Sequence, residues 1–169
     1  MRLTTRTDLA MRVLMFCATR RGRLHRSIDI ALACNVSVNH LMQVVPVLHR
    51  LGYVVATRGR SGGVELAARP EALRVGEVFR HFEAQLPFNE CFSEGGNTCP
   101  LTPCCRMRPA LAAAVEAFYA ALDEVSLADL VADNSGLESL FAQNAADPVP
   151  KVCARAQATP GRSAGPRVR

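Results

Sequence analysis

The sequence predicts a mainly α-helical fold with one small β-hairpin. In the first 52 residues, and again between residues 109 and 122, apolar side chains recur at spacings of three and four, which is typical of amphipathic helices. A stretch with three glycines, Arg58 to Gly63, separates two short β-like runs, as expected for a hairpin. A helical unit therefore precedes the hairpin, and at least one helix follows it.

Three helices are predicted before the hairpin. They are Arg2–Thr19, Ile28–Cys34 with Ser27 as its N-cap, and a third helix from its cap Ser37 through Leu51. Asn35 suits the tight turn between the second and third helices, because asparagine tolerates a left-handed backbone. Gly52 ends the third helix.

The rest of the chain continues with shorter elements. In order, they are strands Tyr53–Thr57 and Val64–Leu66, a helix Val75–Phe82, a loop over residues 87–109, a helix Pro109–Leu122, a short helix that Ser126 caps through Asp133, and a disordered tail from about Gln143. This organisation predicts a winged helix-turn-helix domain over residues 1–85. A cysteine loop over 86–108, a dimerisation helix and short C-terminal helix over 109–142, and a disordered basic tail over 143–169 would follow.

Charge is distributed unevenly along the chain. Residues 1–80 carry +8, residues 81–150 carry −8 and residues 151–169 carry +5, although the whole chain carries only +5. A basic first half indicates a polyanionic partner. No run approaches the roughly 18 apolar residues of a membrane span, and no signal-peptide core follows Met1. We therefore expect a cytoplasmic protein that does not bind membranes. Its seven cysteines should stay reduced in that compartment.

The order of three helices and a hairpin predicts double-stranded DNA as that partner. The helix-turn-helix would span Ile28 to Leu51, because the first turn of a recognition helix must present hydrogen-bonding side chains to base edges. Pro46 lies in the middle of the third helix and should kink its axis, beyond the proposed base contacts. Candidate base contacts are Ser37, Asn39, His40 and Gln43; Arg58 and Arg60 on the wing would enter a minor groove, and Arg20, Arg21, Arg23 and Arg26 would follow the phosphates.

A second constellation lies in the loop, where Cys91, Cys99, Cys104 and Cys105 fall within fifteen residues directly before a helix. Several thiols on one loop can converge on a metal centre, and the spacing suits an iron–sulfur cluster better than zinc, which prefers CxxC pairs or nearby histidines. Spacing alone does not choose between Cys104 and Cys105. The other cysteines, Cys17, Cys34 and Cys153, are expected to play no part in ligation, the first two because they lie on packing faces.

Four stretches together resemble the iron–sulfur winged-helix regulators of bacteria, and within that family its nitric-oxide-sensitive repressors. They are MRLTTRTDLAMRVL, VSVNHLMQVVPVLHRLGYV, RGRSGGVEL and CPLTPCCRMRPAL, and they span about residues 1–140. The resemblance implies that Cys91, Cys99 and Cys105 bind the cluster and that Cys104 does not. It also implies a fourth ligand, Asp8, contributed by the other subunit. The family commonly has lysine where Gln43 stands.

The resemblance implies a homodimeric repressor that binds a palindromic operator and releases it when nitric oxide nitrosylates the cluster. A 4Fe–4S cluster is favoured, and a 2Fe–2S cluster also needs four ligands. Helix Pro109–Leu122 would form the dimer interface through Leu111, Val115, Phe118 and Leu122. Two alternatives are a regulator that senses iron–sulfur supply or redox state, and a thiol enzyme using Cys104 and Cys105. Because the loop has no orienting His and Asp, the enzyme is disfavoured, and we expect a protein that is not an enzyme.

Overall fold

The computed structural model describes residues 3–59, 61–83, 87–93, 95 and 97–146. Within these residues the chain forms helices and one two-stranded antiparallel sheet, which confirms the predicted fold class. The elements are α1 (Thr5–Thr19), α2 (Ser27–Ala33), α3 (Val38–Arg50), β1 (Val54–Thr57), β2 (Gly63–Leu66), α4 (Val75–Glu83), α5 (Met107–Asp123), α6 (Leu127–Val131) and α7 (Ser135–Ala146), with 3-10 turns at Pro70–Ala72, Glu90–Phe92 and Thr102–Cys104. The loop before α5 was expected to lack regular structure and instead contains two of these turns.

The boundaries of the first two helices differ from the prediction. α1 begins at Thr5 rather than Arg2, because the Thr4 hydroxyl accepts the Thr7 backbone N–H at 3.2 Å and so caps the helix. Ser27 was predicted as a cap but is the first residue of α2, and Arg26 takes the cap position without a side-chain cap bond. The predicted start of α1 was three positions too early, and the predicted cap of α2 was one position too late.

One hydrophobic core joins the elements. α1 lies at its centre, and the buried residues extend from α1 to α6 and α7, where Leu127 and Phe141 belong to the same cluster as Leu14 and Leu41. The bridge between His25 and Val64 adds a short third segment to the sheet. In the described part of the chain no single helix is long and apolar enough to span a membrane, although α2 and α3 taken together as a bent pair pass that test of length and composition.

Helix α5 begins at Met107, two residues before the predicted start at Pro109. Proline fits here because the first residues of a helix have no intrahelical acceptor for their N–H groups. No residue of α5 is fully buried in the single chain. The predicted apolar stripe is half-buried, at Leu111, Val115, Phe118 and Leu122.

Helix α7 corrects the prediction of a disordered tail from Gln143, because residues 143–146 are helical. Asn134 supports its start, since the Asn134 side-chain oxygen accepts the Leu137 N–H at 3.1 Å. Phe141 is buried against α1, with its ring 5.4 Å from that of Phe16. Residues 147–169, including Cys153, lie outside the described residues.

Candidate nucleic-acid interface and cysteine loop

Helices α2 and α3 form the predicted helix-turn-helix. Their axes turn by 111° across the intervening residues 34–37, within the range of such motifs. Asn35 has a φ of 51°, so the left-handed turn expected from its side chain is confirmed. Ser37 caps α3 by accepting the His40 N–H at 3.2 Å. α3 continues through Pro46 to Arg50 without interruption, so Pro46 does not end the helix.

The outer face of α3 is polar and open. Asn39, His40 and Gln43 are exposed on its first turns, while Leu41, Val44 and Val45 anchor the opposite face in the core. Met42, which the sequence reasoning missed, is 54% exposed on the open face. The sequence did contain a signal for Met42, because it is an apolar residue outside the buried stripe of α3. Such a side chain can contact a thymine methyl group.

The hairpin provides the wing. β1 and β2 pair antiparallel with Thr57 opposite Gly63, and Arg58 is exposed at the start of the turn. Gly59 has a φ of 112°, and a Cβ on Gly62 would lie 2.2 Å from the Thr57 carbonyl oxygen, so the tight turn requires both glycines. Arg60 lies outside the described residues.

A cleft of about 730 Å³ separates the wing from the two helices. Its lining combines residues of the start of α2, the outer face of α3 and the hairpin, among them Arg26, Met42 and Arg58. Met42 and His49 of α3 therefore face the wing across this cleft, whereas Asn39, His40 and Gln43 lie outside its lining.

The connector arginines differ in what they contact. Arg26 forms a pair of hydrogen bonds with Asp29 at 3.1 and 3.2 Å, and this contact raises the pKa of Arg26. The Arg20 guanidinium lies 4.5 Å from the centre of the Phe16 ring and 5.7 Å from that of Phe141. Arg21 and Arg23 are exposed. Two of the four residues expected along phosphates thus also stabilise the fold.

Asp8 is exposed on the first turn of α1. Its carboxylate pairs with Arg12, one turn later, at 2.6 Å. The Arg12 guanidinium also donates a hydrogen bond at 3.3 Å to the carbonyl oxygen of Cys34, the C-cap residue that follows α2. Asp8 is therefore linked through Arg12 to the turn before the recognition helix.

A buried contact joins the start of α1 to the end of α4. The Glu83 carboxylate accepts the Thr4 N–H at 2.8 Å and the hydroxyl of Thr7, which is fully buried. Because 76 residues separate Thr7 from Glu83, no local pattern in one sequence reveals the pair. The contact fixes the first turn of α1 beside the point where the chain enters the cysteine loop.

Hydrogen bonds shape the cysteine loop. The Glu90 carboxylate accepts the backbone N–H of Thr98 at 2.5 Å and its hydroxyl at 2.7 Å, so the neighbours of Cys91 and Cys99 are held together. These bonds lower the pKa of Glu90. The Thr102 hydroxyl donates to the Cys99 carbonyl oxygen at 2.9 Å. The network is local and holds together the residues that adjoin Cys91 and Cys99 in the sequence.

The four loop cysteines differ in exposure. Cys91, Cys99 and Cys105 are half-buried, whereas Cys104 is exposed. Across the residues that the structure describes, no three His, Cys, Asp or Glu side chains lie close enough together to bind a metal ion. The donor chemistry fits an iron–sulfur cluster, because thiolates are its usual protein ligands, but all three thiols must approach one another to bind it.

Helices α4 and α5 flank this loop and are held together by an ion pair. The Arg80 guanidinium forms two hydrogen bonds with Asp123, at 2.6 and 2.7 Å, and lies 5.0 Å from the centre of the Tyr119 ring. The contact lowers the pKa of Asp123. Gly76 permits this approach, because a Cβ there would lie 2.1 Å from the Asp123 carboxylate. Sequence reasoning missed these residues, since the contact spans 43 positions.

Cys17 and Cys34 lie in the core, as predicted, with 1% and 4% of their surfaces exposed. Burial raises the pKa of each thiol to about 12. Both side chains therefore remain protonated at neutral pH and pack as small apolar groups.

Relatives with similar sequences are transcriptional regulators. The HTH-type transcriptional regulator NsrR of Geobacillus kaustophilus is 45% identical over 142 residues, which cover 83% of this chain and 97% of the relative. The protein of the same name from Bacillus subtilis is 40% identical, with the same coverage of both chains. These names agree with the expectation that the chain regulates transcription and is not an enzyme.

Solved structures confirm the fold. T. potens IscR superposes with a TM-score of 0.61 at 25% identity, covering 79% of this chain and 88% of that chain. The oxidized form of Staphylococcus aureus CymR has the same TM-score at 22% identity and covers 78% of this chain and 97% of that chain. Residues 3–133 match the Rrf2 family, described as iron-dependent transcriptional regulators. The chain belongs to the Rrf2 family of transcriptional regulators.

Proposed function

We propose that the chain is a homodimeric DNA-binding repressor that holds an iron–sulfur cluster and releases a palindromic operator in response to nitric oxide. The observation that carries DNA recognition is the open polar face of α3 beside the wing. Asn39 and Gln43 present amides suited to adenine, and His40 and the capped Ser37 lie on the same first turn. Arg58, with Arg60 beside it in the sequence, would reach the adjacent minor groove. The bacterial cytoplasm, where the DNA lies, is the compartment in which it would act.

The half-exposed stripe of α5 supports a dimer. An apolar groove of about 400 Å³, lined by Leu3, Phe88, Val115 and Phe118 among others, runs beside this helix. The same helix of a second copy would cover it and remove apolar surface from water. Two recognition helices would then lie about 34 Å apart, one turn of DNA, which is why a palindrome is expected.

The cluster would be held by Cys91, Cys99 and Cys105 of one subunit and Asp8 of the partner subunit. When bound, it would supply an iron site, coordinated by oxygen rather than sulfur, at which nitric oxide reacts. The half-buried positions of the three cysteines, against the exposed Cys104, support this choice of ligands. The description of the family as iron-dependent supports a metal centre, without choosing its ligands. A 4Fe–4S cluster suits three thiolates and one carboxylate.

Asp8 would link ligation of the cluster to DNA binding. Both oxygens of its carboxylate contact Arg12 of its own chain, and ligation of iron in the partner would take at least one of them from that pair. Because Arg12 also binds the Cys34 carbonyl oxygen, ligation changes what supports the end of α2. A two-state contact of this kind, biased by ligation, would alter the position of the recognition helix.

We also propose a division of roles along the chain. Residues 1–85 would bind DNA, 86–108 would carry the cluster, and 109–142 would dimerise. The Arg80–Asp123 and Thr7–Glu83 contacts hold α4 to both α5 and α1, so a change in the loop that joins α4 to α5 would reach both the dimer helix and the DNA-binding region.

The chain offers a matched pair of variants for a test of the ligands. After anaerobic reconstitution, Cys105→Ala should lose the visible absorption of the cluster, whereas Cys104→Ala should keep it. Equal absorption in both variants would contradict the ligand assignment. In the loaded wild-type protein, titration with nitric oxide should abolish binding to a DNA duplex that the untreated protein binds. Unchanged affinity after complete reaction would refute the sensing role.

The iron-dependent character of the family and the likeness to T. potens IscR favour a second candidate, a regulator that senses iron–sulfur supply or redox state. The same binding assay separates the two. Release by oxygen or an iron chelator, with no release by nitric oxide, would favour the second candidate.

A further inference from the structure

Cys91 lies between two aromatic residues. It is the middle residue of the 3-10 turn Glu90–Phe92, with Phe92 at the end of that turn and Phe88 shortly before it. The two rings meet edge to face, with their centres 6.2 Å apart and their planes at 86°. Phe92 is half-buried, and Phe88 is 43% exposed. The ring contact therefore links the residues on both sides of a predicted cluster ligand.

Both rings also face helix α5. Phe88 lines the apolar groove of about 400 Å³ together with Val115 and Phe118 of that helix. Phe92 lies below the Arg108 guanidinium, whose central carbon is 5.9 Å from the centre of the ring. A guanidinium within about 6 Å of the centre of an aromatic ring is attracted by the negative face of that ring. The segment that carries Cys91 therefore meets α5 at two places.

The Arg108–Phe92 contact joins the two ends of the cysteine loop. Cys105 follows the 3-10 turn Thr102–Cys104 and lies just before α5, whose first turn carries Arg108. The contact therefore connects the residue next to Cys91 with the helix that starts beside Cys105. It complements the Glu90–Thr98 hydrogen bonds, which hold the neighbours of Cys91 to those of Cys99.

We propose that Arg108 and Phe92 are positioning residues, which keep Cys91 near Cys105 so that the loop needs less rearrangement to bind the cluster. The proposal rests on the ligands proposed above and adds two residues that are not ligands themselves. Each acts through the backbone, because Phe92 adjoins Cys91 and Arg108 closely follows Cys105. A loop whose ligands are held close beforehand loses less conformational entropy when it binds.

Thiol–disulfide exchange measures the approach of the two thiols without a cluster. Glutathione disulfide oxidises Cys91 and Cys105 to a protein disulfide and is itself reduced to two molecules of glutathione. The equilibrium constant of this exchange is the effective concentration of one protein thiol at the other. Cys17 and Cys34 are buried, and the other cysteines are removed by the substitutions Cys99→Ser, Cys104→Ser and Cys153→Ser. Peptide mass spectrometry quantifies the Cys91–Cys105 disulfide in anaerobic glutathione buffers.

Four variants are compared with wild type in this background, namely Arg108→Gln, Arg108→Lys, Phe92→Leu and the double variant Arg108→Gln with Phe92→Leu. Arg108→Gln should lower the effective concentration about two- to fivefold, the factor that corresponds to an exposed cation–π contact. Arg108→Lys keeps the cation and should restore most of the loss. Because the ring and the cation act together, the double variant should be no lower than Phe92→Leu alone.

Arg106→Gln is the matched control. Arg106 is the exposed N-cap residue of the same helix, and within the described residues no ring lies under its guanidinium. A cation near a thiol also makes that thiol more reactive, so Phe92→Leu, which leaves every charge in place, separates position from charge. Arg106→Gln should match wild type. With all native cysteines restored and the cluster loaded, Arg108→Gln should release iron to a chelator faster than Arg106→Gln by a similar factor.

Three results would overturn the proposal. They are an unchanged effective concentration in Arg108→Gln, equal losses in Arg108→Gln and Arg106→Gln, and independent losses that multiply in the double variant. Failure of the proposed function gives a different result. If wild type takes up no cluster while the effective concentrations differ as expected, Arg108 and Phe92 are confirmed as holding Cys91 near Cys105, and the cluster assignment is wrong.

Discussion

Replacing Phe141 by alanine should detach α7 from the rest of the molecule. Only 6% of the Phe141 surface is exposed, and its ring lies edge-on to Phe16 and near the Arg20 guanidinium. Truncation of a buried phenylalanine costs about 3–5 kcal/mol, through lost transfer free energy and the cavity left behind. Because α7 lies at the rim of the core and can relax, we expect the lower end, about 3 kcal/mol. For a chain of this size the melting temperature falls by about 6–12 °C.

Urea unfolding followed by circular dichroism measures this change in the free energy of unfolding. The matched control is Leu140→Ala on the same helix, whose side chain is 56% exposed and should change stability by less than about 0.5 kcal/mol. Hydrogen exchange should locate the loss in α7 and in the first residues it contacts. A cost below about 1 kcal/mol for Phe141→Ala, or equal costs for both variants, would refute the docking of α7 on the core.

Three other perturbations follow from buried contacts. Gly76→Ala should destabilise the α4–α5 contact by about 1–3 kcal/mol in urea unfolding, because the new Cβ would meet Asp123 at 2.1 Å. Thr7→Val should cost about 1–3 kcal/mol, since it removes a fully buried hydroxyl from its carboxylate partner. The free energy of unfolding should fall as the pH rises from 9 towards 12. Over that range the unfolded chain releases the Cys17 and Cys34 protons, whereas burial raises the pKa of both thiols to about 12 and retains them in the folded state.

Each of these expectations has a control. Gly95→Ala adds a Cβ with no atom within 4 Å and should leave stability unchanged. Thr5→Val alters an exposed threonine on the same helix turn as Thr7, and a cost as large as that of Thr7→Val would count against the buried hydrogen bond. The double variant Cys17→Ala with Cys34→Ala should flatten the alkaline loss of stability, and an unchanged pH profile would show that other groups cause it.

The DNA-binding region was predictable because its signals are local. Asn35, Ser37 and the wing glycines specify turns and caps through their own backbone and side-chain chemistry, so their positions follow from neighbours in the sequence. Errors there were limited to the ends of helices. Ser27, for example, lies inside α2 because capping propensity alone does not distinguish the cap position from the first helical one.

Helix α7 was missed because tertiary packing, rather than local preference, stabilises it. Its apolar residues are not concentrated on one face, and a short helix with a weak apolar stripe is marginal in water. Phe141 provides its main anchor by contacting Phe16, which lies 125 positions earlier in the chain. In the cysteine loop the resemblance names the candidate ligands, which stay a prediction, and the Glu90–Thr98 contact that shapes the loop has no periodic signature.

The single hydrophobic core bears on how the protein would be degraded in a cell. Leu127 of α6 and Phe141 of α7 pack in the same cluster as the residues that support α3. A protease that cut in the cysteine loop and removed the C-terminal helices would expose the core face of the DNA-binding region as well. The chain should therefore be cleared as one unit, and cleavage would not leave behind a folded fragment of α1 to α4.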